Sequence, residues 1–197
     1  MGKTLLVTGF EPFNGQSLNP SLECAFSLPS HISGVEIIKE KLPVLWGETE
    51  TVICELLKKY RPNAVLAIGQ AGNSEMIRVE RIAVNLRESS TPDNAGVIIN
   101  GVPVIKNAAN AYFSTFPYTD ILSALKSADI PCEYSFSAGT YLCNAVLYCA
   151  LHNISSASIG FIHLPFIPEQ IDVLNTMELP KEKQAILIAA SVICEKI

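Results

Sequence analysis

Residues Ser137 to Asn144 read S-A-G-T-Y-L-C-N and join an apolar, β-favouring run at 132–136 to a helical pattern. Gly139 is expected to end the strand and Thr140 to cap the helix, which puts Cys143 in the first helical turn. Free backbone N–H groups and the helix dipole at that position favour a thiolate, which is a nucleophile at neutral pH. The alternative interpretation is a buried, inert cysteine.

Strands and helices alternate along the chain on either side of this junction. Buried-strand patterns occupy residues 4–8, 35–42, 64–68 and 158–164, and helical patterns occupy 20–28, 48–60, 119–128 and 180–195. A more polar β-like run spans 77–86, and Asn100-Gly101 between apolar segments predicts a tight hairpin. This alternation predicts an α/β fold, with a largely parallel sheet covered by helices on both faces, as a single catalytic domain over residues 1–197.

Composition limits the kinds of molecule that the protein is expected to bind. Hydrophobic residues make up 49% and charged residues 17% of the 197 residues, and the net charge is −5, which argues against nucleic acid or an anionic membrane as a partner. The apolar runs are too short to span a membrane, and the first residues do not resemble a signal peptide, so a cytoplasmic protein with reduced cysteines is expected. None of the six cysteines is spaced as C-x-x-C, so neither a metal nor a cofactor is expected.

A nucleophilic cysteine needs a base, and the chain has only three histidines. His31 lies in a polar turn. His152 is nine positions beyond Cys143 on the same helix and points the opposite way, because each helical residue turns by about 100°. His163 ends an apolar strand, where sites of open α/β sheets collect, although it could instead be a core histidine with satisfied hydrogen bonds. Pattern alone does not select an acid, but Glu80 is unusual as a carboxylate within an apolar β-like run.

Several sequence motifs occur in one order along nearly the whole chain. They are G-F-E-P-F (9–13), N-P-S (19–21), G-Q-A-G (69–72), E-R-I-A-V-N (80–85), P-D-N (92–94), S-A-G-T with C-N (137–144), G-F-I-H-L-P (160–165) and P-E-Q (168–170). Together they resemble the pyrrolidone-carboxylate peptidase (pyroglutamyl peptidase I) family of cysteine exopeptidases. The resemblance implies a three-layer α/β/α sandwich with a mixed, largely parallel, twisted sheet, related to nucleoside phosphorylases, and a homo-oligomer, either a dimer or a tetramer.

The same resemblance implies a catalytic triad of Glu80, Cys143 and His163. It therefore selects the cysteine and histidine that elimination favours, and it adds the acid. The implied substrates are peptides with an N-terminal pyroglutamate, cleaved by acyl transfer through a thioester at the cysteine without a cofactor.

A neutral lactam needs flat apolar walls and a few amide contacts. The resemblance suggests Phe10 and Phe13 as walls, Asn19 and main-chain groups near Gln70 as polar contacts, and Leu142 beside the nucleophile. The two phenylalanines could instead be core residues, and Asn19 could be only a helix cap.

This chain departs from the family at Ser90-Thr91, where Arg-Ile usually precedes Pro-Asp-Asn. One alternative is therefore a weakened paralogue that binds pyroglutamyl peptides. A second is a phosphorylase-like enzyme, which needs clustered arginines at glycine-rich strand ends, whereas Arg78, Arg81 and Arg87 lie close in sequence but not on such a loop.

Overall fold

The computed structural model describes residues 2–72, 74–170 and 176–197. Within these ranges the elements in chain order are β1 (Thr4–Phe10), α1 (Pro20–Ser27), β2 (His31–Ile32), β3 (Val35–Leu42), α2 (Glu48–Tyr60), β4 (Ala64–Gln70), β5 (Ile77–Glu80), β6 (Ile82–Val84), β7 (Ala111–Phe113), α3 (Tyr118–Ser127), β8 (Cys132–Ser135), α4 (Leu142–Asn153), β9 (Ser158–Leu164) and α5 (Leu179–Lys196).

Seven of these strands form one sheet in the order β2-β3-β1-β4-β9-β5-β8. The central strands β3, β1, β4 and β9 are parallel, whereas β5 is antiparallel to β9 and carries β8 parallel to itself. At the other edge β2 is antiparallel to β3, and β6 pairs with β7 in a separate ribbon. The predicted mixed, largely parallel sheet is confirmed.

Helices cover both faces of the sheet. One core contains side chains of α1, α3 and α5, and the other contains side chains of α2 and α4. Because side chains alternate along a strand, Ile162 of β9 packs into the first core and Phe161 into the second. The result is the α/β/α sandwich that the sequence and its resemblance predict.

Helix α2 buries one stripe, as the sequence periodicity predicts. Ile53, Leu56 and Leu57 are buried there, whereas Glu55 and Lys58 are exposed. No helix in the described ranges is both long enough and apolar enough to cross a membrane.

The polar β-like run at 77–86 is not the single strand that its pattern predicts. β5 ends at Glu80, and the Arg81 N–H donates to the Ser135 carbonyl at the end of β8. The chain then leaves the main sheet as β6, which pairs with β7. The prediction failed because a period-2 pattern does not reveal a change of pairing partner.

The hairpin predicted at Asn100-Gly101 is also wrong. Val102 exchanges backbone hydrogen bonds with Arg87, and the Ser89 N–H donates to the Ile99 carbonyl. The segments on either side of Asn100-Gly101 therefore pair with a segment that lies earlier in the chain and not with each other.

Candidate active site

Helix α4 begins at Leu142, so Cys143 lies in the first turn, as predicted. The predicted cap is wrong, because the N-cap is Tyr141 and the Thr140 hydroxyl donates instead to the Glu88 carbonyl at 2.6 Å. Tyr141 does not cap the helix with its own side chain. The first-turn N–H groups, which have no partner inside the helix, therefore face the region around the sulfur.

The acid and the base meet through cross-strand geometry. In the antiparallel β5–β9 pair, His163 lies opposite Arg78 and Glu80 opposite Phe161, so His163 and Glu80 are diagonal neighbours on one face. His163 Nδ1 lies 2.8 Å from Glu80 Oε1. Glu80 is 0% exposed and His163 is 5% exposed.

The imidazole is held in its charged form. Burial alone opposes the charge, but the charge and hydrogen bond of Cys143, followed by the hydrogen bond and charge of Glu80, raise the pKa of His163 to about 9. Since Nδ1 is engaged by Glu80, Nε2 is the ring nitrogen left for Cys143. At neutral pH the site therefore holds a protonated imidazole beside the sulfur.

Gly69 leaves the space that the sulfur occupies. It pairs with His163 in the β4–β9 ladder, and a Cβ at this position would lie 2.9 Å from Cys143 Sγ and 2.7 Å from the Phe161 ring. The sequence predicts that β4 stops before Gly69, but the strand continues through Gln70. This glycine is therefore needed for close approach and not to end a strand.

An apolar pocket opens beside the sulfur. It encloses about 290 Å³ of empty space, part of it open to solvent, and is lined by Phe10, Phe13, Asn19, Val44, Gln70, Tyr141, Leu142 and Cys143. All five expected substrate-binding residues are among them. Val44 and Tyr141 were not expected; Tyr141 at least adjoins the motif around the cysteine, whereas nothing in the local sequence singles out Val44.

The sequence left open whether Phe10 belongs to the core or to the pocket, and whether Asn19 is only a helix cap. In the structure each of these two residues does both. Phe10 is 3% exposed and packs in the core, yet its ring also lines the pocket. Asn19 Oδ1 accepts the Ser21 N–H at 3.1 Å as the cap of α1, and Asn19 lines the pocket as well. Ser90 and Thr91, where the chain departs from the family pattern, are exposed and are not among the residues that line the pocket.

Asn144 secures the start of α4, a role that the sequence analysis did not assign. Its side chain is buried; Oδ1 accepts the Val84 N–H at 2.9 Å, and Nδ2 donates to the carbonyls of Val84 and Leu86, also at 2.9 Å. With three hydrogen bonds from one side chain, the turn that carries Cys143 is fixed to the segment after β6.

The Pro92-Asp93-Asn94 motif supports the aromatic wall of the pocket. Burial alone would raise the pKa of Asp93, but three backbone N–H groups, including that of Trp46 at 2.9 Å, hold it below its ordinary value. The Tyr141 hydroxyl donates to the Pro92 carbonyl, and the Trp46 ring packs edge-on against Tyr141 with centroids 5.2 Å apart. From the sequence, this motif is only part of the family resemblance and is assigned no role.

The arginines required by the phosphorylase alternative are dispersed. Each has its own partner: Arg78 is paired with Glu133, Arg81 lies over the Tyr118 ring and Arg87 is paired with Glu50. None of the three lines the pocket. Across the described ranges no three His, Cys, Asp or Glu side chains are grouped so as to hold a metal ion.

Comparison with known proteins agrees with this geometry. A family model described as pyroglutamyl peptidase matches residues 3–196. A pyrrolidone-carboxylate peptidase of Thermococcus kodakarensis is 46% identical over 170 residues, covering 84% of this chain and 82% of that protein. One from Escherichia fergusonii is 43% identical over 172 residues, covering 85% and 80%. The crystal structure of the pyrrolidone carboxyl peptidase of Pyrococcus furiosus superposes with a TM-score of 0.94 at 36% identity, covering 98% of this chain and 99% of that one. The chain therefore belongs to the pyroglutamyl peptidase family.

Proposed function

We propose that this protein is a cysteine exopeptidase that removes an N-terminal pyroglutamyl residue from peptides. Cys143 is the nucleophile, His163 the general acid and base, and Glu80 the group that orients the imidazole. The observation that carries the proposal is the buried Glu80–His163 hydrogen bond of 2.8 Å, with Cys143 beside the imidazole and lining an uncharged pocket.

Acylation begins with attack of the Cys143 thiolate on the pyroglutamyl carbonyl carbon. A carbon–sulfur bond forms, and the carbonyl electrons move to oxygen, where first-turn N–H groups of α4 donate hydrogen bonds to the oxyanion. His163 gives the proton at Nε2 to the nitrogen of the leaving peptide as the carbon–nitrogen bond breaks. The products are a thioester on Cys143 and a peptide with a free amine.

Deacylation reverses these roles. His163, now neutral, takes a proton from water, and the resulting hydroxide attacks the thioester carbonyl. The carbon–sulfur bond breaks, pyroglutamate leaves and the thiolate is restored beside the imidazolium. Glu80 remains hydrogen-bonded to Nδ1 throughout, which keeps Nε2 directed at the reacting atoms.

The pocket selects for an uncharged head group. Apart from the nucleophile itself, no residue of its described lining is ionisable near neutral pH, and Phe10 and Phe13 supply apolar walls. A free α-ammonium would be buried there without a partner, at a cost of several kcal/mol. A lactam carries one N–H and one carbonyl, and these are contacted by the Asn19 side chain and by main-chain groups near Gln70.

Hydrolysis of a pyroglutamyl arylamide under reducing conditions tests the proposal. The wild-type protein should release the arylamine, and Cys143→Ala should lower kcat by ~10⁴-fold or more because the nucleophile is removed. Cys132→Ala is the matched control, since Cys132 is buried on β8 outside the pocket, and it should retain the wild-type rate. Glutaminyl arylamide, the open-chain analogue with a free amine, should not be cleaved. Absence of turnover by the wild-type protein would refute the peptidase assignment.

A further inference from the structure

Two neighbouring cysteines outside the active site lie on helices that pack in the same core. Cys54 is on α2 and Cys149 on α4, and each thiol shifts the pKa of the other. The Asn153 amide donates both to Cys54 Sγ at 3.6 Å and to the Cys149 carbonyl at 2.8 Å. One side chain therefore holds the two cysteine-bearing turns in register.

The two sulfurs differ in their access to solvent. Both cysteines line a surface cavity with about 620 Å³ of empty space, part of it open to solvent, but Cys54 is only half-buried whereas Cys149 is 2% exposed. Apart from Cys143 in the active site, the remaining cysteines are all buried. Of the two sulfurs, Cys54 is therefore the more accessible to a small solute in this cavity.

The charges around the pair favour ionisation of Cys54. The hydrogen bond from Cys149 lowers the pKa of Cys54; burial and Glu50 oppose the shift, and the nearby ammonium of Lys58 supports it. That same hydrogen bond, together with burial, raises the pKa of Cys149. Ionisation is thus favoured at the more accessible sulfur and opposed at the buried one, as expected for an attacking thiol and its resolving partner.

We propose that Cys54 and Cys149 form a dithiol site that peroxide oxidises to a disulfide between α2 and α4. The Cys54 thiolate attacks one oxygen of hydrogen peroxide; a sulfur–oxygen bond forms, the oxygen–oxygen bond breaks, and the departing hydroxide takes up a proton to leave as water. The Cys149 sulfur then attacks the sulfenic sulfur of Cys54. A sulfur–sulfur bond forms, the sulfur–oxygen bond breaks, and a second water leaves with the thiol proton. Two thiols and one peroxide thus give one disulfide and two waters.

The bond ties together two helices that already pack on one face of the sheet. It closes a long loop of the chain, so the oxidised protein should melt several degrees above the reduced form. Cys149 lies more than one helical turn beyond Cys143 on α4, so the nucleophile itself is not consumed by this reaction.

The test treats the reduced, folded chain with one equivalent of hydrogen peroxide, blocks free thiols and maps disulfides by mass spectrometry without reduction. The peptide linking Cys54 to Cys149 should be about tenfold more abundant than any other cysteine pair, since thiolate character and proximity both favour it. Cys54→Ser should abolish it, and Cys132→Ala should not. Cys149→Ala should leave a sulfenic acid on Cys54 that dimedone traps.

The same reaction in urea provides the contrast. If the pairing depends on the fold, the preference for Cys54 with Cys149 disappears when the chain is unfolded. The proposal is overturned if folded wild-type protein gives no such peptide while Cys143 is oxidised, or if folded and unfolded chains give the same mixture of pairs. Circular dichroism of the Cys54→Ser and Cys149→Ala variants verifies that both are folded.

Discussion

Replacing Glu80 by glutamine isolates the effect of one negative charge on the proposed chemistry. The amide has nearly the shape of the carboxylate, and its oxygen still accepts the hydrogen bond from His163 Nδ1. The imidazole therefore keeps its orientation and loses only the carboxylate's attraction for its positive form. A variant that also removes the hydrogen bond, Glu80→Ala, separates orientation from charge.

The size of the effect follows from the imidazole. Its pKa is raised from 6.5 to about 9, which corresponds to roughly 3 kcal/mol in favour of the imidazolium. Cys143 contributes the larger part and Glu80 the smaller, so loss of the carboxylate charge should cost about 1–2 kcal/mol, equivalent to about one pKa unit or a tenfold loss of kcat/KM. Since a raised pKa keeps the imidazolium protonated into the alkaline range, lowering it should move the alkaline limb of activity to lower pH.

The assay is kcat/KM for a pyroglutamyl arylamide between pH 5 and 10. Glu80→Gln should show a tenfold lower maximum and an alkaline limb that falls about one pH unit earlier, and Glu80→Ala should lose more because the ring is no longer oriented. Glu182→Gln is the matched control, since Glu182 is also 0% exposed but lies on α5, away from the pocket. Its profile should match that of the wild type.

Two results would refute this reasoning. If Glu80→Gln keeps the wild-type kcat/KM and the wild-type alkaline limb, the carboxylate charge does not stabilise the imidazolium. If Glu182→Gln loses activity as strongly as Glu80→Gln, the loss reflects the change of any buried glutamate and not the charge beside His163.

Two further predictions concern space and stability. Gly69→Ala should lower kcat/KM by at least ~10-fold with the fold retained by circular dichroism, because the added methyl group forces Cys143 Sγ from a position 2.9 Å away; full activity would contradict the steric argument. Burial raises the pKa of Glu182 from 4.5 to about 9, and neither carboxylate oxygen has a hydrogen-bond partner among the described residues. From pH 4.5 upward the unfolded chain is ionised while the folded chain stays protonated, so urea unfolding should show stability falling by up to about 1.4 kcal/mol per pH unit towards pH 9. Glu182→Gln should flatten that slope, and an unchanged slope would exclude Glu182 as its source.

The sequence predicted the elements whose signals are local. The amphipathic stripe of α2 predicted its first and last residues correctly, and the apolar run of β9 predicted both ends of that strand. Asn19-Pro20 predicted the start of α1 correctly, because an asparagine cap followed by proline satisfies the helix terminus within a few residues. These signals depend on neighbours in sequence and not on the rest of the fold.

The failures depend on long-range choices. As a cap, the Thr140 hydroxyl would accept an N–H of its own helix, but it donates to the Glu88 carbonyl instead. The Asn100-Gly101 hairpin does not form because Val102 pairs with Arg87. The cysteine was suggested by its place at a helix start and the histidine by elimination, whereas Glu80 needed the family resemblance, because nothing in a β-like run shows which strand will lie beside it. Homo-oligomeric assembly and a cytoplasmic location, which the sequence analysis also expected, stay predictions.

The antiparallel insertion of β5 explains how the three proposed catalytic groups differ in burial. In a purely parallel sheet the carboxyl ends of neighbouring strands meet at one edge, where the acid would be as exposed to solvent as the base. Because β5 runs against β9, its last residue, Glu80, lies opposite Phe161, two residues inward from His163. Exposure therefore rises in order, from Glu80 at 0% through His163 at 5% to the half-buried Cys143. The carboxylate is shielded where its charge acts most strongly on the imidazole, while the sulfur stays within reach of a substrate. One reversed strand thus places the charge inside and the nucleophile at the pocket.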